Sequence, residues 1–159
     1  MKLDYKPLPA GLSMKNPATL IATGFGSGRM YPMPGTWGSM AAWIVAFVVS
    51  KPVLIFAFIL ACIGGLWAAK HFEDQSHSHD SNMIVIDEWA GMWLAMLFAS
   101  FLDQAILAFV LFRALDIMKP GLIGWLDKNV SGAWGVMADD LAAGLAAGII
   151  VYGYGLWMY

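Results

Sequence analysis

Residues 53–69 read VLIFAFILACIGGLWAA, 17 consecutive positions without a charge. A helix over this stretch covers about 25 Å at ~1.5 Å per residue, slightly short of a ~30 Å hydrocarbon core. Ser50-Lys51-Pro52 precedes it, and Met40 to Val49 before that break is again wholly apolar. A break carrying Lys and Pro is a turn, so residues 39–69 read as a helical hairpin. Working toward the C-terminus, Lys70 to Asn82 is polar and residues 70–86 read as a solvated loop. The apolar signal resumes from Trp89 to Leu102, is interrupted at Asp103-Gln104, and continues from Ala105 to Leu115. Residues 87–118 therefore read as a second hairpin turning at Asp103. Lys119-Pro120-Gly121 ends it, because Pro restricts the residue before it and Gly suits a helix end. Residues 119–137 read as an interfacial loop around Trp125, and residues 138–159 as a C-terminal helix long enough to span.

Composition agrees with this reading. Of 159 residues 60% are apolar and only 13% charged, about half the share usual in a soluble domain. Four or five charge-poor segments are too many to bury in a chain of this length, which weighs against a soluble helical bundle. The fold class read here is all-α: an integral-membrane bundle of about four to five apolar helices, some short or re-entrant, with a polar site on the cytoplasmic face. One domain, 1–159, suffices. Residues 1–38 form a cytoplasmic segment with a glycine-rich loop, and no signal-peptide pattern is visible. The net charge of −2 excludes the basic excess that nucleic-acid binding requires, so no nucleic-acid partner is expected. Cys62, the single cysteine, rules out an intramolecular disulfide and reads as a small hydrophobe.

If each hairpin enters and leaves on one side, Thr36 to Ser39, Lys70 to Asp80, Asp87-Glu88, Arg113 to Lys119 and Asp139-Asp140 collect at the same face. Eight of the nine Lys and Arg residues fall there and only Lys51 on the other, which places the crowded face in the cytoplasm by the positive-inside tendency.

Asp87, Glu88, Asp116, Asp139 and Asp140 sit at the ends of apolar helices, where acids are costly and call for compensation. A hard divalent metal held through oxygen ligands supplies it, and magnesium takes one or two carboxylates plus waters and phosphate oxygens. The competing account of any one pair is a helix N-terminus, which favours acids through its dipole. Arg113, Asp116 and Lys119, three apart, share one helical face; Arg113 as a fork and Lys119 as a point charge can reach a phosphate. The competing account is an interfacial ion-pair row. Gly24 to Arg29 (GFGSGR) and Pro34 to Ser39 (PGTWGS) lie before the first apolar helix. Gly26 and Gly35 permit close backbone approach, and Thr36 and Ser39 add hydroxyl donors for an anion. A helix-entry turn explains these residues equally well. His77 and His79, beside Asp80, read as solvated loop residues rather than a transition-metal site.

Taken in order, Gly-Phe-Gly-Ser-Gly, Pro34 to Ser39, Ile86 to Met92 (IDEWAGM), Phe112 to Pro120 (FRALDIMKP) and Gly135 to Gly144 (GVMADDLAAG) resemble the phosphatidylglycerophosphatase A family. The resemblance runs from about Asn16 to Gly148, with Ala133 standing where the pattern has a second glycine. It implies a magnesium-dependent, membrane-bound, all-helical lipid phosphatase of phospholipid biosynthesis, in the bacterial inner membrane, that converts phosphatidylglycerophosphate to phosphatidylglycerol. On that reading Asp87, Glu88, Asp116, Asp139 and Asp140 bind one or two Mg2+ ions. Arg113 and Lys119 bind phosphate oxygens, with Gly26, Gly35, Thr36 and Ser39 assisting. A metal-activated water is the favoured nucleophile, with an acid or Thr36 as the covalent alternative. A CDP-alcohol phosphotransferase is disfavoured because its longer acidic motif is missing, and a small ion transporter because its acids would lie mid-helix.

Overall fold

A computed structural model describes residues 4–76 and 81–159. Seven α-helices make up nearly all of the ordered secondary structure: α1 (Pro17–Ala22), α2 (Pro34–Val48), α3 (Lys51–Ser76), α4 (Ile86–Met96), α5 (Leu102–Met118), α6 (Leu122–Asn129) and α7 (Ala133–Met158). The one sheet is a two-residue antiparallel pair, β1 (Asp4–Tyr5) with β2 (Met30–Tyr31). His77, His79 and Asp80 lie outside the described residues.

Helices occupy both stretches read as hairpins, with shifted limits, and α4 packs on α5; α2 and α3 instead diverge, α2 packing on α4 and α5 and α3 on α1, α4 and α7. Helix α2 begins at Pro34, whose fixed φ suits a first helical position, so Gly35, Thr36, Gly38 and Ser39 lie within the helix rather than before it. Helix α3 runs on through Lys70 to Ser76, a stretch read from sequence as loop. Tertiary contacts sustain it: Phe72 is completely buried, and His71 Nε2 lies 3.1 Å from Asn16 Nδ2 at the cap of α1, which packs on α3. The α4–α5 turn falls at residues 97–101 rather than at Asp103. Gln104 Oε1 accepts hydrogen bonds from the backbone N–H groups of Ser100 (2.7 Å) and Phe101 (3.3 Å), fixing the start of α5. Part of the segment read as interfacial loop is helical as α6, and α7 starts at Ala133, five residues earlier than position 138.

Helix α4 is the centre of the bundle. It packs against α2, α3, α5 and α7, and eight of its 11 residues are buried. At about 16 Å it is too short to span a bilayer. Trp93 donates from Nε1 to Ala42 O (2.9 Å) and Trp43 to Ala105 O (2.8 Å), so indole dipoles tie α2 to α4 and α5 without leaving a polar atom stranded.

Helices α3 and α7 are different. Each has 26 residues and is long and apolar enough to cross a membrane, yet only 28% of either apolar window is buried. A core helix of a soluble protein would be mostly covered. Instead Val53, Phe56, Leu60, Ile63 and Trp67 point outward from α3, and Leu145, Ile149, Ile150 and Leu156 from α7. Two membrane-length helices is fewer than the four or five apolar spans read from sequence, because α4 spends its apolar surface on its neighbours.

Candidate active site

Helices α4 and α7 approach until their backbones touch. A Cβ at Gly91 would stand 2.6 Å from Asp140 O, and one at Gly144 would stand 2.8 and 2.9 Å from the carbonyl carbon and Cα of Gly91. Each glycine sits one turn beyond an acid, Gly91 four residues after Asp87 and Gly144 four after Asp140. Only hydrogen at both positions lets those acids converge. On the other side of α4, a Cβ at Gly35 would collide with Glu88 Oε1.

The convergence makes a cavity of about 370 Å³ whose lining includes Asp87 and Glu88 from α4, Asp116 and Lys119 from the end of α5, and Asp139 and Asp140 from α7. All five acids singled out from sequence are therefore in one place. The helix-dipole account holds for Asp87 and Glu88, in the first turn of α4. It fails for Asp139 and Asp140, which lie two turns inside α7 and are only 5% and 3% exposed. Glu73 and Asp127 also line the cavity. Sequence reasoning missed them because each lies in a polar stretch indistinguishable from a solvated loop.

Arg113 is clamped from three sides. It forms an ion pair with Asp116, donates from Nη1 to Ser39 Oγ (3.2 Å) and from Nη2 to Thr36 Oγ1 (3.3 Å), and keeps a buried Nε without a partner. The two hydroxyls expected to bind phosphate instead hold the guanidinium. Lys119, in the left-handed region at φ 45°, is bonded to Asp127 and to Asp139 Oδ2 (2.8 Å). Partial burial disfavours its ammonium, but those two carboxylates outweigh it and raise its pKa above the ordinary lysine value. Gly26 is not part of the cavity lining; the glycine run instead packs Gly24 against Trp89 and Gly28 against Val85 behind the site.

Burial, and then the neighbouring charges of Glu88 and Asp140, push the Asp87 carboxyl well above its usual range. Burial likewise raises Glu88. Asp87 Oδ1, Glu88 Oε2 and Asp140 Oδ1 are buried with no hydrogen-bond partner. Stranded anionic oxygens of this kind are costly. A hard divalent cation fits the residues present: every candidate ligand is a carboxylate, and the oxygens of Asp87, Glu88 and Asp140 lie within 4.8 Å of one another, as do those of Asp116, Asp139 and Asp140.

The profile of the family described as phosphatidylglycerophosphatase A matches residues 20–154. The chain belongs to that family. It is 38% identical over 154 residues to a phosphatidylglycerophosphatase A of Haemophilus influenzae, covering 92% of this chain and 94% of the relative. The Escherichia coli K12 protein of the same name is 38% identical over 147 residues, covering 89% and 85%. A Bacteroides thetaiotaomicron protein provisionally named as a phosphatidylinositol-3-phosphatase is 35% identical over 153 residues, covering 87% and 95%. No solved structure matches. Family membership makes the protein a phosphatase, and its two long apolar helices have the length and composition to cross a membrane.

Proposed function

We propose that the protein hydrolyses the terminal phosphate of phosphatidylglycerophosphate to give phosphatidylglycerol, in a magnesium-dependent step of phospholipid biosynthesis. Its helices cross the bacterial inner membrane more than once, with the acid-lined cavity toward the cytoplasm. The names of the two relatives at 38% identity support the substrate. The skew of Lys and Arg toward the cavity end supports the orientation. At the far end, Lys51 donates to Ser100 Oγ (3.1 Å) and Tyr159 OH donates to Asp103 Oδ1 (3.2 Å).

The observation that carries the proposal is the charge balance of the cavity. Seven carboxyl groups face it, against Lys119 and the adjacent Arg113. A phosphomonoester dianion entering such a site is repelled unless further positive charge is present. Carboxylates from the set Asp87, Glu88, Asp116, Asp139 and Asp140 would hold magnesium, which when bound neutralises phosphate oxygens and lowers the pKa of a coordinated water.

The remaining work falls to the chain. Arg113, held by Thr36, Ser39 and Asp116 beside the cavity rather than in its lining, would offer a pre-oriented guanidinium to phosphate oxygens, so no rotamer has to be ordered as charge develops. Lys119 stands at the mouth as a second cation. The reaction joins a water oxygen to phosphorus, breaks the bond from phosphorus to the glycerol oxygen, and returns a proton to that oxygen. Thr36 is poorly placed as a nucleophile, since its hydroxyl is engaged with Arg113 and lies outside the cavity lining. The exposed faces of α3 and α7 keep the lipid's acyl chains in the bilayer while its head group reaches the cavity.

Phosphate release from phosphatidylglycerophosphate in mixed micelles, with magnesium and with EDTA, tests this. Release that requires magnesium is expected. A folded, pure protein that releases none would overturn the substrate assignment, and equal release in EDTA would overturn the metal requirement.

A further inference from the structure

We infer that the acid cluster is divided into one resident metal site, Asp87, Glu88 and Asp140, and a charge-paired set, Asp116 and Asp139, that holds the two phosphate-binding cations in place of a second ion. This rests on the magnesium-dependent phosphatase reading and assigns each acid its part.

Two triads of carboxylates have their oxygens within 4.8 Å of one another, and they share Asp140. Their surroundings differ. In the first triad every residue keeps a buried oxygen without a partner, namely Asp87 Oδ1, Glu88 Oε2 and Asp140 Oδ1, and none of the three is in a salt bridge among the described residues. Asp140 is almost wholly buried, and the contact of Gly144 with Gly91 presses its helix against α4. Three carboxylates thus converge without an ion pair of their own; the nearest cation, Arg113 beside Glu88, is already paired with Asp116. In the second triad Asp116 is paired with Arg113, and Asp139 with Lys119 at 2.8 Å.

The second triad therefore carries two ion-paired acids, Asp116 with Arg113 and Asp139 with Lys119, whereas the first carries none. Attraction for a divalent ion follows unpaired negative charge and is strong where water is excluded. An ion in the second triad would also have to displace Arg113 or Lys119 from the carboxylate that orients it. The same bonds that ready the cations for phosphate thus exclude a second metal.

The test uses the full chain in detergent with Mn2+ as the probe, read by equilibrium dialysis and by electron paramagnetic resonance. One Mn2+ per chain with an uncoupled signal is expected. Asp87→Asn, Glu88→Gln and Asp140→Asn should each weaken binding by at least about 10- to 100-fold, the range that even supporting residues command. Asp116→Asn and Asp139→Asn should keep one ion at near wild-type affinity while lowering phosphate turnover. Two ions per chain, a spin-coupled pair, no bound ion, or loss of the ion in Asp116→Asn would each overturn the division. Wild-type stoichiometry decides the matter even where a variant does not fold. Magnesium-dependent phosphate release together with two bound ions would refute this division and leave the activity standing. One bound ion without phosphate release would refute the activity and leave the metal site.

Discussion

Gly144→Ala adds a single methyl group to α7, and its effect on the distant chemistry can be worked out. The new Cβ would lie 2.8 and 2.9 Å from the carbonyl carbon and Cα of Gly91, and closer still to Gly91 O. Carbon atoms pack at about 3.5–4.0 Å, so the two helices must separate locally by roughly 1 Å. The contact is backbone against backbone and no side chain can rotate away. Overpacking of this kind costs about 1–3 kcal/mol of stability. The larger consequence falls one turn away, where Asp140 withdraws from Asp87 and Glu88. A misplacement of about 1 Å in a reacting site costs on the order of 100-fold in rate. The assay is magnesium-dependent phosphate release beside thermal unfolding in the same detergent. Gly153→Ala, in the same helix with nothing within 4 Å of its Cβ, is the control and should change neither quantity for the worse. A Gly144→Ala protein that keeps turnover within about threefold of wild type would falsify the claim that this contact sets the site.

Other outcomes follow from the same geometry. Ser39→Ala removes one of the two hydroxyls holding Arg113 and should lower kcat/KM by about 10-fold, the worth of a hydrogen bond to a charged group, while Thr36→Ser should retain activity. Arg113→Ala should cost about 100- to 1,000-fold in kcat with the fold intact by circular dichroism. Asp127→Asn breaks a half-exposed pair with Lys119 and should change stability by less than ~1 kcal/mol; the readout is a raised KM, as Lys119 loses one of its two anchors. For the metal-free protein, Asp87 and Glu88 have raised pKa values, so the folded state binds more protons than the unfolded one. Stability should therefore rise as pH falls from neutrality toward the ordinary carboxylate range, and saturating magnesium should flatten that slope, as seen in melting temperature with EDTA and with magnesium.

The sequence carried a good deal of this. Lys51-Pro52 and Lys119-Pro120-Gly121 mark turns by their own backbone chemistry, and the helix breaks between α2 and α3 and after α5 fall there. Asp87, Glu88, Asp116, Asp139 and Asp140 are conspicuous because acids beside apolar helices demand compensation, and the bundle does gather them. Length and hydropathy were less reliable for α4. Its apolar residues read as a span, but periodicity and composition cannot distinguish a helix covered by lipid from one covered by its neighbours. Glu73 and Asp127 escaped notice for the converse reason. A carboxylate in a polar segment gives no local sign that a long helix or a lysine eight residues away will turn it toward a cavity.

What the sequence determined by itself is the inventory: an apolar helical chain, its helix breaks, a set of acids and two cations, in an order and spacing that resemble a lipid-phosphatase family. Those properties are local or additive, fixed by backbone restrictions and by transfer of side chains from water. What only the tertiary structure decided is who faces whom. Thr36 and Ser39 support Arg113 instead of touching phosphate, Gly26 stays behind the site, and Asp140 joins Asp87 and Glu88 while Asp116 and Asp139 are taken by cations. Apart from the Arg113–Asp116 pair, three positions apart on one helix, each of these depends on distances of a few ångströms between residues from 20 to more than 70 positions apart, set by the glycine contacts that let α2, α4 and α7 close upon one another.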